Sequence, residues 1–267
     1  MSDPTGFADG TVLIERDGVR ATVVLNRPDK LNALTLAMWQ GVGEAFRALD
    51  GDEGVRCVVL RWAGEKAMGP GADITEFATA RADSDQAAAY GAVMHTSMRA
   101  IRDCRHPVIA RIQGLCVGGA LELSLMCDLR ISGATARFGV PINRLGLVMA
   151  HAEIEALVGL VGPSVALEIL YEARVFGAEE ALAKRLVNRV VPDAELDDEI
   201  AATVARVVTG APLVNRWHKK FVWRVAADPS PVAESEIREG FACYDTDDYK
   251  EGVRAFLAKQ PPKFEGR

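Results

Sequence analysis

Between Pro107 and Asp128 an apolar strand pattern runs into Gly118-Gly119, and an apolar helix pattern then opens with one carboxylate, Glu122, among leucines. A lone acid in such a segment is costly to bury unless it is paired or used. Gly118 and Gly119 fall where a helix presents unpaired N–H groups, a place suited to developing negative charge. A second stretch, from Ala67 through Gly71-Ala72-Asp73 to Ile74, supplies another turn of exposed backbone after a strand. Two N–H donors and one carboxylate converging on a reactive carbonyl is the arrangement these residues point to, and it is that of an enzyme.

The elements that must position them follow from periodicity. Residues 11–15 and 21–25 alternate around Asp17-Gly18 and read as a hairpin. Thr35 is placed to cap a helix whose apolar positions are Leu36, Trp39, Val42, Phe46 and Leu49. Residues 55–60 and 108–112 read as buried strands, with a helix over 85–102 between them. Strand and helix in alternation imply crossover connections and a largely parallel sheet. After about residue 150 the strands nearly vanish, and helices are predicted over 154–160, 165–171, 178–184, 196–208, 213–225 and 232–241. The fold class is therefore α/β with a helical C-terminal region, divided as a core over 1–195 and a helical part over 196–267. No internal repeat stands out.

Bulk properties narrow the partners. The chain has 267 residues, 49% of them hydrophobic, enough for a packed core. A net charge of −6 argues against nucleic acid or an anionic membrane surface as the main partner. No uninterrupted apolar run approaches the roughly 20 residues that span a bilayer. The first residues, Met1-Ser-Asp-Pro-Thr-Gly6, lack a basic segment and an apolar signal core. Five scattered cysteines have neither disulfide-framework nor zinc-ligand spacing, which fits a reduced, cytoplasmic protein. His95, His106 and His218 stand apart from other ligand-type residues, so no metal site is expected. Neither a dinucleotide fingerprint, a P-loop nor a Gly-x-Ser-x-Gly elbow is present.

The chain resembles the enoyl-CoA hydratase/isomerase (crotonase) family in Leu25-Asn-Arg-Pro-Asp-Lys-Leu-Asn-Ala-Leu34, Gly71-Ala-Asp-Ile74, Gly118-Gly119 with Glu122, Cys127-Asp128 and Phe138-Gly-Val-Pro141. Further matches are Gly177-Ala-Glu-Glu-Ala181, Leu186-Val-Asn-Arg-Val190 and Glu251-Gly-Val-Arg-Ala-Phe256, so the likeness runs along almost the whole chain. It implies a ββα-superhelix core and a homo-oligomer, a trimer or dimer of trimers. It also implies coenzyme A as part of the substrate, with no permanently bound cofactor. The oxyanion donors map onto Ala72 and Gly119, and the first catalytic glutamate onto Glu122. Contacts to the coenzyme A moiety map onto Asp29, Lys30 and Leu31, onto Lys66, and onto Phe256 and Lys259 near the C-terminus. Asp73, Ile74, Thr75 and Gly118 fall at the thioester end of the groove.

One departure matters. Many hydratases of the family carry a second catalytic glutamate directly after the proline of Phe-Gly-x-Pro, where this chain has Ile142. Asn143, His151 and Glu153 lie near enough in sequence to substitute, each against a plain structural reading. The structural alternative for Glu122 is pairing with Arg130 or Arg144, and for Asp128 it is pinning backbone. Three readings stay open: an acyl-CoA enzyme of the hydratase/isomerase type, another acyl-CoA reaction such as hydrolysis, decarboxylation or a lyase step, and an acyl-CoA-binding protein with little catalysis.

Overall fold

The computed structural model describes residues 4–64 and 66–267; Met1, Ser2 and Asp3, part of the N-terminal stretch read above, lie outside it. Eleven strands form two sheets among the described residues. The larger contains β1 (Thr5–Phe7), β2 (Val12–Asp17), β3 (Arg20–Leu25), β4 (Cys57–Trp62), β6 (Val108–Ile112), β8 (Leu129–Gly133) and β11 (Arg189–Val191), adjacent in that order. The smaller runs β10 (Phe176–Gly177), β9 (Arg137–Gly139), β7 (Leu115–Val117), β5 (Ala67–Gly69). The expected hairpin is β2–β3, and from β3 to β11 every neighbouring pair in the larger sheet is parallel.

The helices follow in chain order: α1 (Leu36–Asp50), α2 (Phe77–Ala80), α3 (Ser84–Asp103), α4 (Gly119–Leu125) and α5 (His151–Glu172). After them come α6 (Ala178–Ala183), α7 (Leu196–Val208), α8 (Pro212–Ala227), α9 (Glu234–Glu239) and α10 (Asp247–Leu257). The unit repeats as a strand in the large sheet, a strand in the small sheet, then helix: β4–β5–α2/α3, β6–β7–α4, β8–β9–α5. That is the ββα superhelix, a repeat of geometry without a repeat of sequence.

Side-chain alternation along the strands explains why both faces of the large sheet are covered. Val58, Leu60, Val108 and Ala110 join the main core with Trp39, Phe46 and Met98 from α1 and α3. Cys57, Val59, Ile109 and Ile131 face the other way, onto Leu196, Ile200 and Val204 of α7. So α7, beyond the boundary expected at residue 195, packs directly on the sheet.

Four elements of the C-terminal half differ from expectation. The two helices predicted over 154–160 and 165–171 are one helix, α5, bent at Gly162 (φ 75°) before Pro163. By length and mean hydropathy this helix is long and apolar enough to cross a bilayer; the count of uninterrupted runs missed it because Glu153, Glu155 and Glu168 break the run. The short strands β10 and β11 and the helix α10 were not anticipated, although Thr246 caps α10 by accepting from Tyr249 N–H at 3.1 Å.

Candidate active site

Strands β5 and β7 are parallel neighbours, so the turns that leave their C-terminal ends lie side by side. Gly71 (φ 108°) and Gly118 (φ 54°) both hold backbone conformations that a side chain resists. A Cβ added to Gly71 would meet Gly119 N at 3.1 Å, which measures how closely the two turns approach. Leu34 N–H donates to Gly71 O at 2.9 Å, and Asp73 N–H donates to Leu34 O at 2.8 Å. This leaves the Ala72 N–H, between them, facing away from Leu34. Gly119 N–H opens α4, where a helix offers no internal acceptor. Neither group has an acceptor among the described residues, and both line one cavity of about 150 Å³. Two fixed, unused N–H groups on one cavity have the arrangement that can hold an oxyanion.

The first of these turns is braced from outside. Arg27 donates to Asp73 Oδ2 at 2.7 Å and to Ala33 O at 3.0 Å. Hydrogen bonds from Thr75 and Arg27 hold the Asp73 carboxyl down at about 2. Asp73 and Thr75 are thus tied to each other and to Arg27, and unlike Ile74 they do not line the cavity. Their side chains, expected at the thioester end, brace the turn from outside the cavity. Asn32, singled out by no sequence argument for a role of its own, is buried and holds the same region together. It donates to Ala63 O and Ala67 O, each at 2.9 Å, and accepts from Arg27 N–H at 2.9 Å.

Glu122 sits one turn into α4, 6% exposed, on the wall of the same cavity. Burial first, and the nearby Glu153 carboxylate second, push its carboxyl well above the usual range, while Arg81 opposes them. It therefore keeps a proton where an ordinary glutamate has lost one. Arg130, one proposed partner, is spent on the carbonyls of Leu186 and Cys127, at 2.9 and 2.6 Å. Neither Arg130 nor Arg144 forms an ion pair with Glu122.

The second carboxylate is Glu153. It is 5% exposed and lines the cavity with Glu122 and Ile142. One oxygen accepts the Ala150 N–H at 2.6 Å at the start of α5, and the other lies 2.9 Å from His95 Nε2 on α3. His95, isolated in sequence, is thus paired in space. The other two substitutes do not serve: Asn143 donates to the carbonyls of Leu170 and Tyr171, at 2.9 and 3.1 Å, and His151 is exposed off the cavity. Asp128 pins backbone as expected, accepting Val108 N–H at 2.7 Å.

A separate groove of about 550 Å³ is lined by Pro28, Asp29, Leu31, Asn32 and Lys66 and ends at Ala67, with Lys30 exposed at its edge. Strand β5, three residues or about 10 Å long, joins this groove to the oxyanion turn. Phe256 and Lys259 line neither; Phe256 is 84% exposed at the end of α10.

A ββα superhelix that sets two free N–H groups beside a raised-pKa glutamate can stabilise an enolate-like state next to an acyl carbonyl, the chemistry of an acyl-thioester enzyme. The chain belongs to the enoyl-CoA hydratase/isomerase family, whose model matches residues 15–267. It is similar to a crotonyl-CoA hydratase of Syntrophomonas wolfei, with 32% identity over 254 residues, 95% of this chain and 97% of that one. A short-chain-enoyl-CoA hydratase of Clostridium acetobutylicum is likewise 32% identical, over 96% of this chain and 97% of the relative. Among solved structures, an enoyl-CoA hydratase/carnithine racemase from Magnetospirillum magneticum superposes with a TM-score of 0.94 at 50% identity, covering 96% of each chain. The protein is an enzyme of the enoyl-CoA hydratase/isomerase type.

Proposed function

We propose that the enzyme adds water across the double bond of a short 2-enoyl-CoA. The observation that carries this reading is the presence of two buried carboxylates, Glu122 and Glu153, in the cavity that also holds the free N–H groups of Ala72 and Gly119. The thioester oxygen accepts from those two N–H groups. Water attacks C3 as Glu153 takes its proton; the C2=C3 electron pair moves toward the carbonyl, and Glu122 delivers its proton to C2. The raised Glu122 carboxyl still holds that proton near neutral pH. Each donor at the oxyanion contributes about 2.7–4 kcal/mol to the transition state. A cavity of about 150 Å³ is of the size that accepts a benzene-sized guest, which supports a short acyl group.

The test offers crotonyl-CoA and a 3-enoyl-CoA in turn, following the enoyl thioester absorbance and the product mass. Gain of one water on crotonyl-CoA is the expected result. A double-bond shift in the 3-enoyl ester with no hydration would replace this reading by isomerisation.

The same proposal places coenzyme A in the groove from Pro28 to Ala67, as part of the substrate only, in a cytoplasmic trimer or dimer of trimers. Exposure of Phe256 and Leu257 on α10 supports an assembly in which they meet a neighbouring subunit. A stable monomer by light scattering at micromolar concentration would overturn it.

A further inference from the structure

Among the described residues Arg81 is the one cation that lines the acyl cavity. Its guanidinium carbon lies 4.6 Å from the centre of the Tyr90 ring and 4.9 Å from that of Phe77. Tyr90 is itself held, its hydroxyl donating to Glu76 Oε2 at 3.2 Å. That same oxygen accepts Leu36 N–H at 2.9 Å, so Glu76 is committed elsewhere, and Asp83, two residues from Arg81, accepts Gln86 N–H at 2.9 Å at the start of α3. No described carboxylate comes within ion-pairing distance of Arg81 and no described acceptor takes its side-chain N–H groups, in contrast to Arg27, Arg130 and Arg174, whose guanidinium groups all donate to described acceptors. Stacking on rings uses the face of a guanidinium and leaves its edge, a planar fork of donors, free for a carboxylate. A purely hydrocarbon acyl end laid against that edge would strip it of water and return nothing.

We propose that Arg81 determines specificity by receiving a carboxylate at the far end of the acyl group, so that the preferred substrate is an enoyl-CoA with an acidic acyl terminus. This deepens the enoyl-CoA reading above and rests on it. The competing role for Arg81 is to balance the charge of Glu122 and Glu153 without touching substrate.

The test compares kcat/KM for hydration of crotonyl-CoA, of the same thioester bearing a carboxylate on C4, and of its neutral carboxamide. The acid is expected to exceed the carboxamide by about tenfold or more, since a charge-assisted bidentate contact is lost in the amide. In Arg81→Met that ratio should fall to about one, and Arg81→Lys should keep part of it. Equal rates for acid and carboxamide in the parent overturn the proposal, as does a ratio that survives in Arg81→Met. Charge balancing alone predicts the latter, with all three thioesters slowed by one factor. Calorimetry with the saturated acid and amide thioesters separates the two readings. Preferential, Arg81-dependent binding of the acid without any hydration would sustain the subsite and sink the hydratase assignment.

Discussion

Glu153→Gln isolates the group on which hydration turns. Glutamine keeps a carbonyl oxygen that can accept the Ala150 N–H, so the start of α5 stays capped, while the charge beside Glu122 and His95 disappears. Two consequences follow with different readouts. Loss of a general base slows the chemical step by about 10²–10⁴-fold, or roughly 3–5 kcal/mol of barrier. Loss of a like charge also relaxes Glu122. Like charges sharing one buried cavity repel, so removing the Glu153 charge lets Glu122 give up its proton more readily. Burial is the larger cause of the raised Glu122 carboxyl and is untouched, so that group stays above the ordinary carboxylate range.

The sign of the pH effect is fixed by the mechanism. The proposed hydration uses Glu122 with its proton on, so activity is expected to fall as pH rises through its raised pKa, and in Glu153→Gln that fall should begin at lower pH. Residual kcat/KM for crotonyl-CoA, measured from about pH 5 to about pH 9, reads the limb, and a parallel melting curve checks folding. A folded variant that hydrates at the parent rate would reduce Glu153 to a helix cap. A slowed variant whose alkaline limb stays in place would refute the electrostatic link between the two acids.

Glu122→Gln is expected to bind coenzyme A esters as the parent does and to lose about 10²–10⁴-fold in turnover. Because the folded Glu122 carboxyl is raised above its unfolded value of 4.5, ionisation costs the fold progressively as pH rises through that interval. The melting temperature of Glu122→Gln should therefore gain on the parent with rising pH, and a constant difference would contradict burial of the acid. Ile142→Glu places a third carboxylate on a wall that already has two; it should lower the melting temperature without raising hydration, and faster hydration would mean that Glu153 is not the second acid. Arg27→Met removes the brace on the Ala72 turn and should lower kcat more than it raises KM. Its stability deficit, measured by urea denaturation, is expected in full above pH 3.8 and to shrink as pH falls toward 2, where Asp73 takes up its proton.

Local chemistry, and the grouping of two glycine turns with Glu122, could be read in the sequence; the meeting of Glu153 with His95 could not. Gly71, Gly118 and Gly119 announce themselves because turns of positive φ and close approach leave few other residues possible. Glu122 is conspicuous as a charge among Leu121, Leu123 and Leu125. The β2–β3 hairpin, α1, α3 and β6 follow from periodicity, whereas two- and three-residue strands such as β10 and β11 carry too few positions for a pattern. Glu153 and His95 lie 58 residues apart and meet only because α3 and α5 pack beside α4. A signal was present at each: an acid three residues after Ala150, in the first turn of an apolar helix, and a histidine flanking the buried stripe of Tyr90, Met94 and Met98. Neither signal says that the two side chains share a cavity with Glu122.

The isoleucine at 142 raised a doubt that the geometry redirects. In the proposed hydration a carboxylate has to take a proton from water within reach of C3, and the backbone position that supplies that carboxylate is free to vary. Ile142 gives the cavity an apolar wall, while the acid enters from the start of the next helix, where Ala150 N–H and His95 already orient it. That placement also bears on how the proposed hydration resets the two acids. Under that proposal each turnover leaves Glu153 with the proton that Glu122 has lost, and both carboxylates are almost wholly enclosed. The His95 side chain, 2.9 Å from Glu153 and 24% exposed where that of Glu153 is 6%, is the more open of the two to solvent. An acid at position 142 would lack that neighbour, so the histidine and the displaced glutamate make sense as one unit.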